Sequence, residues 1–185
     1  MIHIMVLSSF KAPYYELMTT QQQTWDSRIV EGVSTHYYFG TDYNMMHVPF
    51  KECLGKLLQT DFDYIFRTNS SGYVNKNRLI EFLKDKPKEK VFIGNSDANM
   101  SGTGFIISRD VAQIVYDNLT NEPHPFEDQL IAGIIENSGI ICQKGERTHY
   151  YPDRELVPCY SYRCKEGENR EWDIKAMNDL FKRGL

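Results

Sequence analysis

Three groups of side chains in this sequence are equipped for chemistry. The first is Asn69-Ser70-Ser71, within YIFRTNSSGYVN, where an apolar, strand-like run enters a polar, glycine-containing turn and a helical pattern follows. Every side-chain oxygen this turn offers is neutral. Hard divalent cations prefer anionic oxygens, and two unit charges about 4 Å apart interact by about 4 kcal/mol at an effective dielectric of about 20. The turn is therefore a weak metal site, and it does not repel a phosphate. Without chemistry it is a strand-to-helix turn with capping serines. The second group, Glu127-Asp128, opens a helical pattern. A carboxylate within hydrogen-bond reach of a hydroxyl can take its proton. Acids in a first turn also stabilise the helix dipole by ~0.3–1 kcal/mol with no reaction involved. The third group is cationic. Arg163 and Lys165 alternate along an extended segment, so both can face one ligand, arginine as a bidentate fork and lysine as a point charge. Lys144 and Arg147 are further cations nearby, and the alternative for the segment is a solvated strand.

These groups need a scaffold, and the residue pattern supplies one. Short apolar, β-branched or aromatic runs predict strands at 2–7, 33–39, 64–66, 91–93, 104–108 and 140–142. Helical spacing predicts helices at 13–25, 50–58, 77–83, 111–119, 126–137 and 171–182, with Asp110 capping the fourth. Residues 144–167 read as loop-rich and aromatic. Alternating strands and helices imply an α/β fold, one domain over 1–185, with a mostly parallel central sheet flanked by helices. Such sheets bind ligands at the carboxyl ends of their strands. That rule brings Ser8 and Ser9, then Asn69, Ser70 and Ser71, then Asn95, to one rim, with Phe10 just beyond the first strand. Asp61-Phe62-Asp63 has the D-x-D form but precedes its strand, so it belongs to the opposite rim. Ser101-Gly102-Thr103-Gly104 is small enough for a ligand to approach backbone amides, or is a turn entering a strand. No G-x-G-x-x-G occurs, so the dinucleotide fingerprint is absent.

Composition narrows the class. The 185 residues are 41% hydrophobic and 13% aromatic, with a net charge of −4, which describes a globular chain and argues against a general nucleic-acid binder. No apolar run approaches the ~20 residues of a membrane span. The start, MIHIMVLSSFK, reads as a strand rather than a signal peptide, so the expected location is cytoplasmic. Cys53, Cys142, Cys159 and Cys164 show no CxxC spacing and are expected to be free thiols. Trp25 reads as core, His149 as structural, and Tyr150, Tyr151, Tyr160 and Tyr162 either as core or as a stacking surface.

Several of these pieces occur in a familiar order: Gln22-Gln23-Thr24-Trp25 on the first helix, then FDYIFRTNSSGYVN, SGTGFIISRDVA and FEDQLIAGII. The order resembles the β-1,3-glycosyltransferases and fringe enzymes of glycosyltransferase family 31 across roughly residues 2–139. The resemblance implies a GT-A fold and inverting transfer from a nucleotide-sugar, more specifically a UDP-sugar, to a hydroxyl on a glycan, peptide or small acceptor. It makes Asp128 the base, with Glu127 as the alternative. The donor is then expected against Ser8, Ser9, Phe10, Arg67, Asn69, Ser70 and Ser71, and sugar or acceptor against Ser101, Gly102, Thr103 and Gly104; Arg163 and Lys165 are added for the phosphates on their charge alone, since the tail YSYRCK departs from the fringe pattern. Gln22 stands where the family has arginine, and Asn69-Ser70-Ser71 where it has an aspartate cluster that holds Mn²⁺ or Mg²⁺. For such an ion the sequence offers only Ser71 and His149. Transfer without a metal, weak metal use and binding without turnover are the three readings open at this point.

Overall fold

The computed structural model describes residues 1–168 and 170–185. Its elements follow in the order β1 (Ile2–Ser8), α1 (Tyr14–Gln23), β2 (Val33–Phe39), α2 (His47–Leu57), β3 (Tyr64–Asn69), β4 (Gly72–Val74), α3 (Lys76–Leu83), β5 (Phe92–Ile93), β6 (Phe105–Ser108), α4 (Arg109–Asn118), α5 (Glu127–Asn137), β7 (Arg147–His149), β8 (Ser161–Arg163) and α6 (Arg170–Lys182). No described helix is long and apolar enough to cross a membrane.

The central sheet has the order β2-β1-β3-β6-β5. β1 pairs parallel with β2 and β3, while β6 is antiparallel to both β3 and β5. Four strands thus run one way, as expected of a mostly parallel sheet, and β6 runs against them. No helix separates β5 from β6, and a parallel return needs a crossover of a dozen or more residues, usually helical. The reversal matters for function, because it delivers the start of β6, and the Ser101–Gly104 turn before it, to the rim where β1 and β3 end.

Side chains alternate across this sheet, as strand geometry requires. Ile2, Ile4, Val6, Tyr64, Phe66 and Ile106 pack on one face with Leu17, Leu79, Met177 and Leu180 from α1, α3 and α6. Met5, Ile65, Phe105 and Ile107 pack on the other with Phe50, Leu54, Val111, Val115, Ile131 and Ile135 from α2, α4 and α5. Trp25 is core, as the sequence indicated, and so are Tyr150, Tyr160 and Tyr162.

A second sheet, β4-β8-β7, stands beside the first. Two of its strands lie in the region read as loop, because a three-residue strand is too short to show an alternation. The strand expected at 140–142 is absent, and only a single bridge between Ile93 and Gln143 forms nearby. Asp110 does not cap α4. β6 runs into α4 with no linker, so Ser108 occupies the cap position, and Asp110 in the first turn accepts from Ser108 Oγ at 2.5 Å and Lys90 N at 2.9 Å.

Candidate functional site

The carboxyl rim assembles what the sequence had scattered. β1 ends at Ser8 and β3 at Asn69, neighbours through the β1–β3 pairing, and Ser70 N donates to Leu7 O at 3.0 Å. Phe10 is 67% exposed and stacks on Phe39 at 4.0 Å between ring centroids, an aromatic platform beside Ser8. The D-x-D at 61–63 lies away from this rim, before β3. There Asp63 is paired with the N-terminal amine and Lys88, each at 2.8 Å.

Period-two alternation puts Arg67 on the same face as Ile65, toward α5. The guanidinium is 2% exposed. Its Nη2 pairs with Glu127 Oε2 at 2.5 Å, its Nε donates to Tyr38 OH at 2.9 Å, and its Nη1 donates to the Gly102 carbonyl. Tyr38 in turn donates to Glu127 Oε1 at 3.1 Å. Burial works against the charge on Arg67, but the Glu127 carboxylate and Tyr38 more than offset it and hold Arg67 above its usual range. Arg67 and Glu127 therefore spend their polar atoms on each other inside the fold. Sequence reading had offered one to the donor and the other as an alternative base; the structure gives both a bracing position beneath the rim.

Asp128, one residue further, is half-exposed. Its Oδ2 accepts from Gly102 N at 2.7 Å and its Oδ1 from Gln129 N at 3.0 Å. The Gly102 carbonyl accepts from Asn69 Nδ2 at 2.9 Å. One peptide segment thus ties the β3 junction to the acid of α5. The approach is close: a Cβ at Gly102 would lie 3.2 Å from Asp128 Oδ2, so a side chain there would push the carboxylate aside by a few tenths of an ångström. Thr103 joins the same web: its carbonyl accepts from Thr68 Oγ1 at 3.0 Å, and its hydroxyl lies 2.9 Å from Ser101 Oγ. Gly104 packs over Phe66.

At the junction itself Asn69 Oδ1 accepts from Ser71 N at 3.0 Å. Gln21 of α1 holds the turn from behind, donating to the Asn69 and Gly72 carbonyls at 3.1 and 2.7 Å. Ser71 Oγ accepts from Arg170 Nη1 at 2.9 Å, and that arginine is anchored by buried Asp173 at 2.7 Å. Ser71 O accepts from Cys164 N at 2.9 Å, and Gly72 is paired with Arg163 across β4 and β8. The basic tail is thereby brought against the junction by backbone pairing. His149 is the next residue across, opposite Arg163 on β7. Burial lowers its pKa, and Arg163 and Arg147 lower it further.

This donor set does not fit a divalent cation. Among the described residues no three His, Cys, Asp or Glu side chains converge. Ser71 already accepts from a guanidinium, and His149 faces arginine.

No protein-family model matches the chain, and no curated protein sequence matches it. Among solved structures, a glycosyltransferase involved in glycosylation of the major capsid of PBCV-1 superposes with a TM-score of 0.66 at 13% identity, over 96% of this chain and 98% of that one. The fold is GT-A-like. A Drosophila β-1,4-galactosyltransferase 7 mutant, in complex with manganese, UDP-Gal and xylobiose, superposes at 0.47 with 14% identity, over 78% of this chain and 65% of that one.

Sequence reading did not single out Tyr38 as part of this rim, and it named Arg147 only as a spare cation. Tyr38 carries the sheet-like signal of its neighbours, and nothing in its type reveals that it links two buried charges. Arg170 and Asp173 went unremarked because helical spacing at a chain's end reads as an ordinary amphipathic helix.

Proposed function

We propose that this protein is a glycosyltransferase that moves a sugar from a nucleotide-sugar donor, a UDP-sugar foremost, to a hydroxyl on a glycan, peptide or small acceptor, with inversion. The observation that carries the reading is the double role of Gly102. Its carbonyl is held by the junction residue Asn69 and its amide holds the Asp128 carboxylate, an arrangement beside the rim of a GT-A-like sheet that supports Asp128 as the proton acceptor.

In this reading the base and ribose lie along Ser8, Ser9 and the Phe10 platform, and the sugar reaches the Ser101–Gly104 turn. Asp128 takes the proton of the acceptor hydroxyl as its oxygen bonds to the anomeric carbon. The bond from that carbon to the phosphate oxygen breaks on the opposite face, and the nucleoside diphosphate leaves with the electron pair. Arg163, assisted by Lys165, lies where it offsets the charge that accumulates there, so transfer proceeds without a divalent ion. The ordered motifs that resemble family 31 support the roles of Asp128 and of the β3 junction, although the junction itself has lost that family's acids.

A thermal-shift screen of nucleotide sugars, each with manganese or with EDTA, tests this. Specific binding raises apparent stability by mass action. The expected result is stabilisation by one uridine or guanosine sugar that survives EDTA. A shift that EDTA abolishes removes the metal-free mechanism, and no shift with any nucleotide sugar removes the donor assignment.

A further inference from the structure

We propose that Arg147 and Arg163 together form an anion site that receives the diphosphate of the bound nucleotide directly, with no cation bridging it. The nucleotide part rests on the functional reading above; the anion site rests on geometry alone.

The pairing of β7 with β8 sets Arg147 opposite Ser161 and His149 opposite Arg163. Alternation then puts Arg147, His149 and Arg163 on one face of the small sheet. That face also carries the missing side chain of Gly72, paired to Arg163. A Cβ there would run into Thr68 Oγ1 at 2.5 Å and stand 3.3 Å from the Asn69 carbonyl, so the face is turned toward the end of β3. Arg147 reaches the other flank of the rim, donating from Nη1 to Ser101 Oγ at 3.2 Å. The two arginines therefore span from the β3 junction to the turn before β6.

What marks the pair as a site is incomplete compensation. Neither arginine belongs to a salt bridge among the described residues. The Nε of each is buried without a hydrogen-bond partner. Among the described residues the two buried cations are each matched by a carboxylate, Arg67 by Glu127 and Lys76 by Asp26, and half-buried Arg170 is matched by Asp173. Burial, and then Arg163, lowers the pKa of Arg147, and the opposing effects of Tyr160 and Asp97 only partly offset this. Two like charges held together with donors unspent are costly in the empty protein, and such strain concentrates at functional sites. A diphosphate supplies the missing acceptors and the missing charge in one ligand, and guanidinium forks fit its oxygens bidentately. Lys165, the partner the sequence favoured, is the weaker member, because its charge lies beside Asp173.

The test uses the full chain and inorganic pyrophosphate, titrated calorimetrically in EDTA, with UDP and UDP-glucose in parallel. Wild type is expected to bind pyrophosphate. Arg147→Gln and Arg163→Gln should each weaken it by about ten- to a hundredfold, the loss of a charge-assisted contact, while Lys165→Gln changes it by less than about threefold. Both arginine variants should melt no lower than wild type, because each relieves repulsion, so weak binding cannot be ascribed to misfolding. No pyrophosphate binding in EDTA, or binding indifferent to both arginines, overturns the inference. If pyrophosphate binds through the arginines but no nucleotide or nucleotide sugar does, the anion site stands and the transferase reading falls. If nucleotide sugars bind only with manganese and ignore both substitutions, the transferase reading stands and this inference falls.

Discussion

Truncating Glu127 is the perturbation that most sharply separates a bracing role from a catalytic one. Glu127→Ala leaves the Arg67 guanidinium, 2% exposed, without its counter-charge and leaves Tyr38 without its acceptor. Breaking one member of a buried pair costs about 3–5 kcal/mol. At ~2.1 cal/mol/K per residue, the 185 residues give an unfolding entropy of ~0.39 kcal/mol/K, so the melting temperature should fall by about 8–13 °C. Glu127→Gln keeps the acceptor oxygen and should lose less. The double replacement Arg67→Met with Glu127→Leu should recover much of the loss, since an apolar pair avoids desolvation. Thermal unfolding followed by circular dichroism reads these shifts. Amide exchange adds a local readout, because Arg67 holds the Gly102 carbonyl while the Gly102 amide holds Asp128, so Gly102 protection should drop in Glu127→Ala. A melting point within about 2 °C of wild type, with Gly102 protection unchanged, would refute the bracing argument and return Glu127 to candidacy as a base.

Other consequences follow from the same geometry. Gly102→Ala should leave stability nearly unchanged, yet cut donor turnover at least about tenfold by displacing the Asp128 carboxylate, a sub-ångström misplacement at the reacting atoms; donor hydrolysis with the variant checks it. Phe10→Ala removes an exposed ring and should alter stability by less than about 0.5 kcal/mol while weakening nucleotide binding by ~1–3 kcal/mol through lost stacking; titration with UDP measures it. His3, in β1, has its Nδ1 3.1 Å from Nε2 of His36 in β2. Burial, and then His36, lowers its pKa from 6.5 to about 4. The unfolded chain therefore binds the proton first, so this contribution to stability is complete above pH 6.5 and is lost as pH falls toward 4. His3→Gln should flatten that acid limb in urea unfolding. Arg163→Gln should raise the His149 pKa toward its ordinary value, because one of the charges that depress it is gone; imidazole titration by NMR reports it.

Much of the scaffold was legible because long periodic runs carry their own signal. β2 begins and ends where its β-branched and aromatic run does, and the apolar spacing of residues 50–58 marks α2, which extends back to His47. The small sheet was not legible. β7 and β8 are three residues each, too short for alternation, and their partners are distant in sequence. The reversal of β6 was hidden for a related reason: a run such as GFIIS fixes a strand but not its direction. The candidate site was legible in part. Residue types and order picked out Asn69, Gly102 and Asp128, and the structure shows them joined. Residue type misdirected for Arg67 and Glu127, since a strand-end arginine and a helix-start glutamate look like exposed ligand groups until the fold buries them together. Arg147 stands out only in the fold, where its Nε is buried without a hydrogen-bond partner and it joins no salt bridge among the described residues, and sequence does not display that.

The central claim is that the rim of the GT-A-like sheet holds a nucleoside diphosphate against arginine rather than against a metal ion. A crystal soaked with UDP in EDTA tests it most directly. The account predicts density for the diphosphate within hydrogen-bond reach of Arg147 and Arg163, with the uracil near Phe10. Phosphates lying away from both guanidiniums, or ordered only after manganese is added and ligated by Ser71 and His149, would contradict it.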